Sequence, residues 1–137
     1  MAHELDRLTE VSAQIAPSEV AGLKARGVTM IVNNRPDDED VAQPTSAEIE
    51  TAAHEAGIDY RHVPITRGIG PADVEAMRNA IHEAGEGRLF AFCRSGNRSA
   101  LAWAVAKSED GTSRAELEQC VSRAGFDLGA VSHLLRD

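Results

Sequence analysis

At 137 residues, with 42% apolar and 26% charged residues, the chain has the make-up of one ordinary globular domain with a single sizeable core. Its formal charge of -8 argues against nucleic acid or an anionic membrane as partner. No apolar stretch reaches membrane-spanning length and no basic-then-apolar segment opens the chain, so the expected location is the cytoplasm.

Strands and helices alternate along the chain. "LTEVSAQI" (8–15) reads as a short strand, and Pro17-Ser18 opens a helix to about Arg26 that stops at Gly27. "VTMIVNN" (28–34) is an apolar, β-branched strand that runs into the polar loop "NNRPDDEDVAQPT" (33–45). Ser46 is the expected cap of a helix to about Ala56, with acidic Glu48 and Glu50 near its start and Gly57 after it. "IDYRHVPI" (58–65) is the next strand and "TRGIG" (66–70) its outgoing loop. Pro71 starts a helix to about Ala84, and "GEG" (85–87) turns into a strand ending at Phe92. After the turn at Cys93, residues 101–106 read as a buried helix, followed by helices over 114–124 and about 127–135. This alternation predicts an α/β fold, a mainly parallel sheet of four or five strands flanked by helices.

In such sheets ligands bind beyond the carboxyl ends of the strands. There the stretch "FAFCRSGNRSALAWAVA" (90–106) carries chemistry: an apolar strand ends in a thiol and then becomes a buried helix. A loop entering a helix presents unpaired N–H groups and a positive dipole end, an anion site. That field, together with Arg94 and Arg98, favours the thiolate of Cys93 as nucleophile. Gly96 lets backbone approach a ligand closely. Arg98 has the planar fork that pairs with an oxyanion, Ser99 is placed to donate to the sulfur as it leaves, and Ser95 and Asn97 complete the loop. Arg35 and Arg67, at the ends of two other strands, are candidates for the site rim.

The bland readings differ from residue to residue. Free cysteine is often simply buried, which suits Cys120 beside Leu117 and Val121 better than Cys93 among its arginines. Trp103 and Leu101 read as packing, and "DDED" (37–40) as a solvated loop. His54, His62 and His82 show no metal-ligand spacing, and neither metal nor cofactor is expected.

The loop "CRSGNRS" resembles the cysteine loop that protein-tyrosine-phosphatase-like enzymes and rhodaneses share in variants. With "IVNNRPDDED", "QPTSAEIETAA" and "GIDYRHVPI", the chain is similar over 8–108 to the phosphatase-like domain family of β-lactamase hydrolase-like proteins. The resemblance implies a dual-specificity-phosphatase-like fold in one domain over 1–137, with C-terminal helices over 113–137. It makes Cys93 the nucleophile, Arg98 the anion-binding arginine and Ser99 the hydroxyl after it, acting on a small anionic phosphoester.

Three departures stand out. Four residues, not five, separate Cys93 from Arg98, and Phe92 stands where many relatives have histidine. Arg67 occupies the place of the acidic residue that serves as general acid, which leaves Asp73, in the first turn of a helix, as the nearest replacement. The four-residue spacing is that of rhodaneses, whose cysteine carries a persulfide and whose leaving group needs no acid. Phosphoryl transfer is the leading reading, with sulfur transfer as its alternative. A non-catalytic anion- or partner-binding module ranks below both, because the cysteine and the arginine are both present.

Overall fold

The computed structural model describes residues 2–136. Its strands are β1 (Ala2–Asp6), β2 (Thr9–Ser12), β3 (Val28–Asn33), β4 (Asp59–His62) and β5 (Arg88–Phe92). Its α-helices are α1 (Val20–Ala25), α2 (Ser46–Ala56), α3 (Pro71–Ala84), α4 (Asn97–Glu109) and α5 (Arg114–Arg123), with 3₁₀ segments at Pro17–Glu19 and Gly129–Leu134. The strands form one sheet in the order β1-β2-β5-β3-β4. Three pairings hold β2, β5, β3 and β4 parallel, and β1 adds an antiparallel edge.

Side-chain alternation divides the core in two. Val11, Met30, Val32, Leu89 and Ala91 face α3, α4 and α5, while Ile31, Tyr60, Phe90 and Phe92 face α1 and α2. Along α4 every residue from Ser99 to Ala106 is buried. Its alanines at 100, 102, 104 and 106 carry no bulk to hold the helix off the sheet, so it lies close to β5 and its N-terminus opens at the end of that strand.

Five elements differ from the sequence expectation. The strand expected over 8–15 is the shorter β2, and β1 precedes it in a hairpin that the sequence reading lacks. In β1 only Leu5 is buried, so this edge strand lacks the alternation that marks the others. Thr45, not Ser46, caps α2: its Oγ1 accepts from Glu48 N–H (3.1 Å) while Glu48 Oε1 accepts from Thr45 N–H (2.9 Å), a reciprocal box shifted by one residue. The first helix begins as a 3₁₀ turn, and the last is 3₁₀ throughout. Strand β4 is shorter than 58–65, since Pro64 has no N–H to continue its ladder. Val63 and Ile65 still donate to Asn33 and Asn34 carbonyls (2.8 and 3.0 Å).

Asn34, fully buried, joins the three strand exits. Its N–H donates to Phe92 O (2.8 Å) and its carbonyl accepts from Ile65. Its carboxamide donates to Val63 O (3.0 Å) and accepts from Ser99 Oγ (2.7 Å). Asn34→Ala would leave the Ser99 hydroxyl and the Val63 carbonyl unpaired in a water-free site, a cost of about 2–3 kcal/mol. Urea denaturation should show that loss with the m-value unchanged; a loss under about 0.5 kcal/mol would mean that the amide is dispensable.

Candidate active site

The site is built outward from the end of β5. Cys93 N–H donates to Ser12 O at 3.3 Å, the last sheet contact before the chain turns. The turn closes at Gly96, whose φ of 95° lies in the left-handed region. A Cβ there would stand 3.2 Å from Phe126 Cζ and 3.3 Å from the Ser12 carbonyl carbon, so conformation and space both require glycine. Gly96 N–H in turn donates to Cys93 Sγ at 3.1 Å. The first helical bond of α4 runs from Ala100 N–H to Gly96 O (3.0 Å), so the amides before it have no helical acceptor.

Cys93 is fully buried beneath this loop, whereas Arg94, Ser95 and Asn97 are exposed on its outer side. Ser95 Oγ accepts from Asn97 N–H at 3.3 Å. Cys120 is buried on α5, and burial pushes its thiol up, which fits a packing residue.

Arg98 is held on one side only. Nη1 donates to Glu39 Oε2 (2.8 Å) and Ile65 O (2.7 Å), and Nη2 donates to Glu39 Oε1 (2.8 Å). A guanidinium has five N–H donors. The two left over, Nε–H and the second Nη2–H, form the side edge that grips an oxyanion through two parallel bonds. Glu39 raises the Arg98 pKa further; burial opposes the shift and the nearby Cys93 sulfur adds to it.

Glu39 is itself shared between two cations. Arg35 Nε donates to its Oε1 (2.9 Å), and Arg35 Nη1 donates to Gln14 Oε1 (3.1 Å). The Arg98 bond, opposed by burial and assisted by Arg35, brings the Glu39 carboxyl from 4.5 down to about 2. Arg35 was expected at the rim but lies below it, 4% exposed, reaching the anion site only through Glu39. Nothing in "DDED" distinguishes Glu39 from its three acidic neighbours, except that it stands four residues after Arg35.

Three further expectations meet specific geometry. The Ser99 hydroxyl, expected to face the sulfur, gives its proton to Asn34 Oδ1, because that buried carbonyl needs a donor. Asp73 Oδ2 accepts from Gly70 N–H (2.9 Å) at the start of α3, which makes it a helix cap. Arg67 is exposed on the β4–α3 loop, where it lines a cavity of about 440 Å³ that Arg98 also lines. Among the described residues no group of three or more His, Cys, Asp or Glu could hold a metal ion.

Residues 4–110 match the family model described as "Beta-lactamase hydrolase-like protein, phosphatase-like domain". The chain belongs to this family. It is 34% identical over 132 residues to the β-lactamase hydrolase-like protein of Agrobacterium fabrum, covering 95% of this chain and 30% of that one. It is 35% identical over 136 residues to the protein of the same name from Xylella fastidiosa strain Temecula1, covering 97% of this chain and 31% of that one. The chain thus spans about a third of the length of these curated relatives.

Among solved structures, a Neisseria meningitidis Z2491 protein described as a candidate phosphatase superposes with a TM-score of 0.80 at 30% identity, covering 96% of this chain and 94% of that one. Tk-PTP in its active form (TM-score 0.71, 20% identity, 93% and 87% covered) and kinase associated phosphatase (0.67, 17%, 89% and 79%) share the fold. The phosphatase-like domain is therefore dual-specificity-phosphatase-like in architecture. The family match includes Asn34, Glu39, Cys93 and Arg98, and ends before α5 and the last 3₁₀ segment.

The lowered Glu39 pKa fixes the sign of a pH effect. A carboxylate with a folded value of about 2, against 4.5 when free, contributes stability above pH 4.5 that is lost as pH falls towards 2. Glu39→Gln should therefore be less stable than the native chain at pH 6, and the gap should narrow strongly by pH 2.5. Guanidinium titrations at both pH values measure it; an unchanged gap would mean that Glu39 is not held ionised by the two arginines.

Proposed function

We propose that the domain hydrolyses small anionic phosphate monoesters through a covalent intermediate on Cys93. One observation carries the reading: the edge of Arg98 left open by Glu39 and the Gly96 N–H share one loop with the Cys93 sulfur. Family membership and the shared fold support it.

The chemistry follows from those groups. The thiolate attacks phosphorus, an S–P bond forms, and the ester P–O bond breaks with its electron pair leaving on the alcohol oxygen. Arg98 and the amides ahead of α4 hold the phosphoryl oxygens as charge shifts onto them. Water then attacks phosphorus, the S–P bond breaks, and inorganic phosphate leaves with Cys93 restored. Glu39 orients Arg98 throughout and touches no reacting atom.

The protonation of the leaving group is what this loop set lacks. Arg67 stands on the loop where an acid is expected, and the Asp73 carboxylate is committed to Gly70 N–H. A general acid contributes ~10²–10⁴-fold, most of it with basic leaving groups. Aryl phosphates should therefore be cleaved far better than alkyl phosphates, and Arg67→Asp should raise turnover of the alkyl esters. A flat dependence of rate on leaving-group basicity would remove this part of the proposal.

One observation favours a second reading, in which Cys93 carries a persulfide: the spacing of four residues between Cys93 and Arg98 makes a smaller bowl. A weakly basic leaving group such as sulfite would need no acid. Aryl-phosphate assays run beside intact-mass spectra after thiosulfate separate the two. The expected outcome is turnover that Cys93→Ser abolishes and Cys120→Ser spares, with Arg98→Lys losing about 10²-fold in kcat/KM. A single added sulfur on Cys93, removable by cyanide, with no phosphatase turnover would replace the leading reading by the second.

A further inference from the structure

Arg98, the proposed phosphate clamp, also lines a cavity outside the Cys93 loop. Between the β4–α3 loop and the Gly129–Leu134 segment lies a space of about 440 Å³, which begins at Arg98. That volume falls in the range of small-molecule sites. Ile65, Ile69, Leu101, Val131 and Leu134 supply its apolar wall. Its ionisable groups are Arg67, Arg98 and His133. Among the described residues no aspartate or glutamate lines it, in a chain with 22 acidic residues against 14 lysines and arginines.

We infer that this cavity receives the alcohol half of the substrate: a compact apolar group, about one or two aromatic rings in size, that carries a second negative charge. The apolar wall excludes a polyol, whose hydroxyls would lose water without finding partners. The second charge follows from electrostatics. Glu39 already occupies one edge of Arg98 and a phosphate would occupy the other, which leaves Arg67 as the free guanidinium of the lining. With no carboxylate among the described residues of the wall, an anionic substituent gains from Arg67 and is screened by solvent at the mouth.

The location also says what the cavity is for. Ala130, Val131, His133 and Leu134 of its wall lie beyond residues 4–110, the segment that the family model matches. The cysteine loop lies within the match, and a third of the alcohol pocket's lining lies outside it. Recognition of the alcohol thus draws on the segment beyond the match as well as on Arg67 within it.

The inference rests on the phosphoester reading, and three non-hydrolysable phosphonates test it apart from turnover. Isothermal titration would compare methylphosphonate, benzylphosphonate and 4-carboxybenzylphosphonate on the whole chain. Benzylphosphonate should bind about tenfold tighter than methylphosphonate, from the apolar surface of one ring. The carboxylate should add a further few-fold that salt weakens. Arg67→Gln, at an exposed loop position, should remove only the carboxylate increment, and Ala130→Trp should remove the ring increment by filling the space. Equal affinities for the three ligands in the native chain, or increments that survive both substitutions, would overturn the alcohol-pocket assignment while leaving the phosphoester reading intact. No binding of any phosphonate, with a persulfide forming on Cys93, would overturn both.

Discussion

The arrangement of the site depends on one buried carboxamide. Asn34 sits at the end of β3, the strand between the other two that deliver site loops, and its backbone and side chain together bond all three exits. A buried amide without partners would be costly, and each bond that satisfies it fixes a different segment. Val63 places the start of the β4–α3 loop, and Ser99 places the first turn of α4. The Cys93 loop, strung between Phe92 and that first turn, inherits its shape from both.

On that frame stands a chain of charges from Arg35 through Glu39 to Arg98. Arg35 is nearly fully buried, and a buried guanidinium needs acceptors; Glu39 and Gln14 supply them. Two guanidiniums share one carboxylate, so the cluster keeps a net positive charge beside the sulfur inside a chain of formal charge -8. Glu39 takes the end of the Arg98 fork and leaves its side, which turns a flexible cation into an oriented one. This is preorganisation: the clamp does not have to be assembled when an anion arrives.

The parts of this design that depend on local pattern were legible in the sequence. The β-branched run 28–32, Pro71 at the head of α3, and a thiol and arginine on a strand-to-helix turn each have a local physical signature. The family resemblance rested on the same stretches. What could not be read locally is carried by long-range contacts. Glu39 meets Arg98 across 59 positions and Asn34 meets Ser99 across 65, so the one reads locally as a solvated acid and the other as a strand end entering a polar loop. The edge strand β1 was missed for a related reason: its stability comes from pairing with β2, and only Leu5 reports it.

The distribution of buried polar groups connects these observations. Thr9, Ser12, Asn33, Asn34, Arg35, Ser99 and Ser108 are the buried polar residues among those described. Five of them, all but Thr9 and Ser108, lie at the carboxyl end of β2 or β3 or in the first turn of α4. Elsewhere the interior is apolar and α4 is lined with alanine, the cheaper way to fill a core. Stability alone would not concentrate desolvated amides, hydroxyls and a guanidinium at one end of a sheet, since each must be matched by a partner held in fixed geometry. Their matching is what holds the Cys93 loop and Arg98 still. Rigidity here is bought with hydrogen bonds, and it is spent where the strands end and an anion would be held.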